Sequence, residues 1–377
     1  MRERILVIYP YYNQKKLVET FSIIMNESGL ATDAVCFPIL RTHHNSSMQW
    51  PFIVELLLKI RRILGNGLIS KIYCKVFRVF LIHKIMRLYT HIDFHCYSPD
   101  ADDLMRWCVK KNITFDIVPW GSDILRANGE RISQMKWGFL HCRFIKSSTY
   151  LNIYSLYGDI FEEKYRFVNY GCADFFDVDD LQQDEADQIA QELYGDVKRK
   201  IVIVCGYNGS KGQNHLDMIS AINKLPKEYQ NMSHFVFQMT YGSDPDYLKL
   251  IKQEIAHSSF SYTILENHLS EKQVAAIRKT AEIVINIQDT DGCAASIRTH
   301  LYCKNVLILG EWINYYLLEK SDVYYIKTSR KELTKKIQDV LNNLEKYKKK
   351  CEGNREKMNN VSSWERCKNK WIESYGA

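Results

Sequence analysis

Residues 200–215 read KIVIVCGYNGSKGQNH. A short apolar run leads into a loop that holds glycines and one lysine, and polar residues that can open a helix follow. A buried parallel strand that ends in a glycine-containing loop before a helix has this pattern. Further apolar runs alternate with helical patterns after it, at 234–239, 262–265, 282–287 and 305–310. The second half of the chain is therefore predicted to be an α/β domain around a parallel sheet.

The first half shows the same alternation. Short apolar runs predict strands at 4–9, 32–37, 92–96, 115–119, 143–147 and 166–169. Because strands that alternate with helices form parallel sheets with right-handed crossovers, we expect the α/β class, with two Rossmann-like domains that face a central cleft. The expected domains are residues 1–180 and 198–360, and a helix at 361–377 is expected to pack back on the first domain. A helical pattern also predicts one long helix over 329–350.

Length and composition agree with two globular domains. The chain has 377 residues, of which 46% are hydrophobic and 25% are charged. These values exclude a disordered or fibrous protein. The 11 cysteines are an odd number and form no Cys-x-x-Cys motif, so neither a zinc site nor a disulfide framework is expected. The first residues lack the pattern of a signal peptide, which favours a cytoplasmic location.

A basic stretch separates the second and third predicted strands. Between Glu55 and Asp93 there are eight basic residues and no acidic one. Basic residues interrupt every apolar run, so the stretch predicts basic amphipathic helices over 53–90 rather than a membrane span. Such helices suit an anionic membrane surface, where each Lys or Arg contributes about 1 kcal/mol. Four residues of the stretch are the candidate contacts: Lys71, Lys75, Arg78 and Lys84.

A solvated basic face and a nucleic-acid site are the alternatives for this stretch. No motif of a nucleic-acid-binding module accompanies it, so no nucleic-acid partner is expected. We expect a peripheral protein on an anionic membrane surface.

The loop after residues 201–205 is a candidate phosphate site. Backbone N–H groups and a helix N-terminus favour phosphate, and Lys211 adds a positive charge. The order of residues is neither Gly-x-x-x-x-Gly-Lys-Ser/Thr nor Gly-x-Gly-x-x-Gly. A plain Asn-Gly turn with a solvated lysine is the alternative. The candidate binding residues are Gly206, Asn208, Gly209, Ser210, Lys211 and His215.

A second polar cluster follows the apolar run at 282–287. Asp291 can accept hydrogen bonds from sugar hydroxyls, and Thr290, Gly292 and Ser296 lie beside it in the sequence. Asp289-Thr290-Asp291 also matches an Asp-x-Asp metal motif, but matches this short are common and no metal is expected. Tyr241, after the run at 234–239, is a candidate to stack on a nucleobase.

The third cluster lies in the first half, at Trp120-Gly121-Ser122-Asp123. Gly121 permits close approach to the backbone. Asp123 is either the N-cap of a helix or a carboxylate that faces the cleft.

These three clusters together resemble a GT-B glycosyltransferase. The loop 206–212 resembles the donor-diphosphate loop of family 4 glycosyltransferases, whose lysine contacts the phosphates. Residues 208–215, 238–242 and 269–272 resemble the Fuc4NAc transferase of enterobacterial common antigen. Residues 290–316 are similar to family 4 exopolysaccharide and capsule glycosyltransferases, which share Thr-Asp, a Ser before a helix, and Gly-x-Trp-x-x-Tyr. Residues 120–123 and 170–176 resemble the first-domain motif and the interdomain motif of the same group.

The chain departs from family 4 at three positions. Retaining enzymes of that family carry Glu-x7-Glu, and here Asp291 takes the first position and Thr299 the second. The arginine that follows the first glycine of the loop is replaced by Tyr207. Retention or inversion of the anomeric centre therefore stays open.

The resemblance implies sugar transfer from a nucleotide diphosphate sugar, without metal or other cofactor. Asp123 and Asp291 would be the catalytic residues, and the loop and Tyr241 would bind the donor. If the reaction inverts the anomeric centre, Asp123, on the acceptor side, is the best candidate base. Together with the basic helices, the resemblance implies a glycan acceptor linked to undecaprenyl diphosphate, in the synthesis of O-antigen lipopolysaccharide, capsule or exopolysaccharide. It also implies a peripheral location on the cytoplasmic face of the inner membrane. Two alternatives stay open, a non-catalytic sugar-nucleotide or glycan-binding protein and a GT-B sugar-nucleotide epimerase.

Overall fold

The computed structural model describes residues 3–10, 15–36, 41–44, 84–148, 150–158, 162–197 and 199–376. The chain forms two compact units, residues 1–171 with 367–377 and residues 172–366. Within the part of the chain that is described, no helix is both long enough and apolar enough to cross a bilayer.

The described residues of the first unit form a parallel sheet with one antiparallel edge strand. Its strands are β1 (Arg4–Tyr9), β2 (Ala31–Cys36), β3 (Arg41–His44), β4 (His91–His95), β5 (Asp116–Val118), β6 (Ile145–Ser147) and β7 (Tyr165–Phe167). Its helices are α1 (Lys15–Glu27), α2 (Pro99–Lys110), α3 (Ser122–Leu125), α4 (Gly129–His141) and α5 (Tyr150–Tyr157). The strand order is β3-β2-β1-β4-β5-β6-β7, and only β3 runs antiparallel to its neighbour.

The second unit has six parallel strands. They are β8 (Ile201–Cys205), β9 (Ser233–Gln238), β10 (Ser261–Leu265), β11 (Ile283–Asn286), β12 (Val306–Gly310) and β13 (Ile326–Thr328). Before and between them lie α6 (Asp174–Asp180), α7 (Gln183–Tyr194), α8 (His215–Asn223), α9 (Lys227–Met232), α10 (Pro245–Ala256), α11 (Glu271–Thr280), α12 (Ala295–Tyr302) and α13 (Tyr316–Lys320). After β13 come α14 (Leu333–Asn342), α15 (Leu344–Cys351), α16 (Asn354–Ser362) and α17 (Trp364–Ser374), whose residues from 367 onward belong to the first unit.

The order β10-β9-β8-β11-β12-β13 is that of a Rossmann sheet. Helices cover both faces of this sheet, and this explains the continuous apolar runs in its strands. On β8, Val202 and Val204 pack into one core, and Ile203 and Cys205 pack into the core on the opposite face. The predicted α/β class with two Rossmann-like halves is confirmed.

The strand Arg4–Tyr9 has the same bounds as predicted. Ser270 and Gln273 form a capping box at the start of α11. The single long helix predicted over 329–350 is wrong, because the chain forms α14 and α15 with a break at Asn343. The Asn343 side chain donates to the Asp339 carbonyl at 3.0 Å, and this side-chain bond accompanies non-helical backbone angles at Asn343.

A cluster of buried charges lies inside the first unit. Lys146 on β6 is fully buried and forms ion pairs with Asp93 on β4 at 3.1 Å and Asp116 on β5 at 2.9 Å. Tyr375, beyond the end of α17, donates to Asp93, and its ring lies 3.6 Å from the Lys146 ammonium. The last residues of the chain are thus part of this charge cluster.

Candidate functional site

The predicted donor residues lie where the strand order of the second sheet reverses. β8 is central, with β9 on one side and β11 on the other, so the loops that follow these strands leave the sheet at one edge. Ligands of open α/β sheets bind at this switch point. Hydrogen bonds to backbone carbonyls join the loops after β8 and β11: Asp289 N donates to the Gly212 carbonyl at 2.9 Å, and the Asn214 side chain donates through Nδ2 to the Ile287 carbonyl at 2.9 Å.

Local hydrogen bonds shape the loop after β8. Gly206 turns the chain with a φ of +71°, a value that favours glycine. Asn208 Oδ1 accepts from Ser210 N at 2.9 Å, and Gly209 N donates to the Tyr241 carbonyl at 2.8 Å. A single 3-10 turn at Lys211–Gln213 then leads into α8. The predicted residues of this loop are therefore gathered at one strand exit, and Tyr241 is joined to them.

A pair of buried amides fixes the loop against the exit of β11. Gln213 Nε2 donates to Gln288 Oε1 at 2.8 Å, and Tyr207 N donates to Gln213 Oε1 at 3.3 Å. Trp312 Nε1 donates to the Gln288 carbonyl at 2.8 Å. Sequence reasoning missed Gln213 and Gln288, because no motif marks a contact between residues this far apart in the chain.

Lys211 lies at the surface of this loop. Its side chain is 65% exposed, and its ammonium is 3.5 Å from Asp244 Oδ2, on a side chain that is itself 49% exposed. An exposed ion pair of this kind is weak, so an incoming anion can compete for the lysine. Tyr241 is also exposed, at 54%.

His215 lies beneath the loop at the start of α8. The residue is fully buried, and its Nδ1 is 3.3 Å from the Tyr247 hydroxyl. Its Nε2 has no hydrogen-bond partner among the described residues and would lie 3.0 Å from a Cβ added at Gly206. Burial lowers the pKa of His215 to about 4, so its imidazole is neutral at pH 7. A neutral ring with one unused nitrogen can form a hydrogen bond with a ligand at this loop.

Gly209→Ala is expected to disrupt the loop. A Cβ at this position would overlap Ser243 Oγ and lie 2.8 Å from Ser243 Cβ and 3.0 Å from Ser243 Cα, so the backbone must move. We expect nucleotide affinity to fall at least about tenfold, because misplaced N–H groups lose their hydrogen bonds to phosphate. Isothermal titration with nucleoside diphosphates measures this. Gly129→Ala, where an added Cβ meets nothing within 4 Å, is the control. Equal affinity of the Gly209→Ala variant and wild type would show that the loop does not bind phosphate.

Asp291 is held by three groups just beyond β11. Oδ2 accepts from Asn286 Nδ2 at 2.9 Å and from the Tyr315 hydroxyl at 2.6 Å, and Oδ1 accepts from Ala294 N at 3.1 Å. Burial raises the pKa of Asp291, and the hydrogen bonds from Tyr315 and Ala294 oppose that rise. Its carboxylate therefore fixes the entry into α12.

The other candidates of the β11 exit lie around this carboxylate. Thr290 and Gly292 flank Asp291 and are half-buried, and Ser296 lies in the first turn of α12. Ser296 Oγ is buried and has no hydrogen-bond partner among the described residues. This hydroxyl can bond a ligand at the N-terminus of α12.

The two carboxylates of the Asp-x-Asp sequence have different partners. Asp289 pairs with Arg330 at 2.7 Å, whereas Asp291 bonds Tyr315 and Asn286. Among the described residues, no group of three His, Cys, Asp or Glu side chains could hold a metal ion.

Asp123 lies in the first unit, after β5. Its Oδ2 accepts from Tyr97 N at 2.7 Å and its Oδ1 from Trp120 N at 3.0 Å, so it joins the exits of β4 and β5. The side chain is 3% exposed, and burial raises its pKa although the two backbone N–H groups oppose the rise. The residue that caps α3 is Gly121, not Asp123, which lies in the first turn. The N-cap alternative is therefore wrong.

Comparisons with solved structures identify the fold. A glycosyltransferase from Rickettsia africae superposes with a TM-score of 0.67 at 14% identity, over 99% of this chain and 98% of that one. HepE from Anabaena, in complex with UDP-glucose, gives a TM-score of 0.70 at 9% identity, over 99% of each chain. UDP-GlcNAc 2-epimerase from Neisseria meningitidis, bound to UDP-GlcNAc, gives 0.61 at 10% identity, over 99% of each chain.

No family model matches the chain, and no curated protein sequence matches it. At such low identities the likeness shows the fold alone. The chain has the GT-B fold.

Proposed function

We propose that the protein is a glycosyltransferase that uses a nucleotide diphosphate sugar as donor. The observation that carries this proposal is the convergence of the loops after β8 and β11 at the switch point, with Lys211, His215 and Ser296 each able to bond an anionic ligand or a hydroxyl. The complexes of HepE with UDP-glucose and of the epimerase with UDP-GlcNAc support this class of ligand for the fold.

The chemistry follows from where charge develops. As the glycosidic bond breaks, negative charge grows on the leaving diphosphate. Lys211 and the N–H groups of the loop would stabilise that charge without a metal, because they are already oriented before the reaction. Ser296 would bond a hydroxyl of the donor, and Asp291 would hold the loop that presents it. Asp123 stays our candidate for the base of an inverting reaction, and its raised pKa suits that role.

The proposed glycan acceptor follows from the positive charge of one stretch of the chain. The basic stretch within 53–90 favours binding to an anionic membrane surface. We therefore propose a lipid-linked acceptor, a glycan on undecaprenyl diphosphate in bacterial surface polysaccharide synthesis. Lys71, Lys75 and Arg78 lie outside the described residues. Lys84 is described and its side chain is exposed.

Replacement of Lys71, Lys75, Arg78 and Lys84 by Gln is expected to weaken binding to anionic liposomes about 100-fold or more. Each basic residue near the surface contributes about 1 kcal/mol, and four are removed. Sedimentation with phosphatidylglycerol vesicles measures the effect, and phosphatidylcholine vesicles are the control. Unchanged sedimentation would assign the stretch to another partner.

A transfer assay tests the proposed activity. The protein is incubated with nucleotide sugars and with an undecaprenyl-diphosphate-linked saccharide in vesicles, and products are separated by mass. We expect an elongated lipid-linked saccharide and release of a nucleoside diphosphate. Epimerised nucleotide sugar without elongation would instead identify an epimerase, and binding without any product would identify a non-catalytic protein.

A further inference from the structure

A buried guanidinium on α11 has no carboxylate within ion-pair distance among the described residues. Arg278, in the last turn of α11, is 4% exposed. Its Nη1 donates to His300 Nε2 at 2.9 Å and to Gln238 Oε1 at 3.4 Å, and both acceptors are neutral groups. Asp174 attracts the guanidinium at longer range but does not form an ion pair with it.

Two donors of this cluster lack an acceptor. Arg278 Nε and Gln238 Nε2 are both buried and have no hydrogen-bond partner among the described residues. His300 cannot supply a negative charge, and its other nitrogen, Nδ1, is 2.7 Å from Asn305 Nδ2. A buried charge without a counter-ion and buried donors without acceptors are both costly. We therefore expect Arg278 and Gln238 to bind a ligand that carries negative charge and accepts hydrogen bonds.

The register of the sheet places this cluster beside the loop after β8. Gln238 is the last residue of β9, and Cys205 pairs with Phe237, so Gly206 and Gln238 leave neighbouring strands side by side. The chain then continues from Gln238 to Tyr241, whose carbonyl accepts from Gly209 N at 2.8 Å. Through its hydrogen bond to Gln238, Arg278 contacts the exit of β9, the strand next to β8.

We propose that Arg278, with Gln238, binds an oxygen of the donor's diphosphate and supplies a second positive charge besides Lys211. This inference rests on the proposed function, because it assigns a further residue to the same donor site. Arg278 is not among the candidate residues of the sequence analysis, because it lies on a helix and outside every loop motif.

The test compares Arg278→Met with wild type by isothermal titration, with inorganic pyrophosphate and with nucleoside diphosphates as probes. The expected result is affinity that is about 10-fold to 100-fold weaker for both probes, the loss typical of a hydrogen bond to a charged group. Arg355→Met is the matched control, because that guanidinium is exposed and paired with Asp179. Circular dichroism verifies that each variant is folded.

Each outcome separates the inference from the proposed function. If pyrophosphate binds more weakly to Arg278→Met than to wild type and no nucleotide binds to either, the inference is supported and the donor is not a nucleotide sugar. Nucleotide binding that is equal in wild type and Arg278→Met overturns the inference and leaves the proposed function intact. Absence of binding of both probes to wild type overturns both.

A second variant covers the case in which Arg278→Met does not fold. Arg278→Lys keeps the charge but loses the planar set of donors, so we expect pyrophosphate affinity to fall about tenfold. Unchanged affinity of a folded Arg278→Lys protein would overturn the inference.

Discussion

Lys211→Ala should lower the rate of sugar transfer about 100-fold to 1,000-fold and leave the fold intact. The lysine is 65% exposed and makes an ion pair only with the half-exposed Asp244 among the described residues, so its loss costs little stability. In the reaction the ammonium would face the leaving diphosphate, where one oriented donor is worth about this factor in rate. Steady-state kinetics with the donor found by the transfer assay measures kcat and KM.

Lys252→Ala is the matched control for this prediction. Lys252 is an exposed lysine of the same unit, paired with Glu266 at 2.7 Å. We expect kcat within about twofold of wild type for this variant, since surface substitutions away from a site have small effects. Wild-type values of kcat and KM for Lys211→Ala would show that this loop does not stabilise the leaving diphosphate.

Lys146→Met should lower the free energy of unfolding of the first unit by about 3–5 kcal/mol. The substitution leaves Asp93 and Asp116 buried without their ammonium, and the loss of one partner of a buried ion pair has this cost. Urea denaturation followed by tryptophan fluorescence measures it. Lys370→Met, which removes the exposed pair with Glu373, is expected to cost less than about 1 kcal/mol.

The same cluster predicts a dependence on pH. Lys146, together with a hydrogen bond from Tyr375, holds the pKa of Asp93 well below its ordinary value of 3.8 despite its burial. A carboxylate with a lowered pKa in the folded state stabilises the fold above its unfolded pKa, and that contribution is lost as the pH falls below about 4. In Lys146→Met this acid-dependent loss should shrink. A variant as stable as wild type at pH 7, or one with the same pH profile, would show that the cluster is not a stabilising ion network.

The strands and the donor loop could be predicted because they depend on local sequence. A parallel strand that is covered on both faces is a continuous apolar run, as in Ile201–Cys205, and the chain between it and α8 is rich in glycine. The helix break at Asn343 was missed because the helical pattern continues on both sides of it, whereas a side-chain bond to Asp339 stabilises a different local conformation.

The contacts that hold the site together could not be predicted. Gln213 and Gln288 are 75 residues apart, and Arg278 and Gln238 are 40 residues apart. Only the strand order β9-β8-β11 brings these residues to one edge, and no single sequence shows which polar residue of a helix points there. Asp123 was marked by its motif, but its hydrogen bonds to the exits of β4 and β5 depend on tertiary structure.

The central claim is that the second unit binds a nucleoside diphosphate through the loop after β8. A thermal-shift series of nucleoside mono- and diphosphates and nucleotide sugars, without added metal, tests it most directly. At 100 times its dissociation constant a ligand adds about 2.7 kcal/mol of stability, so we expect a clear rise in Tm with one diphosphate, and a smaller rise in Lys211→Ala. No rise in Tm with any of these compounds would contradict the account.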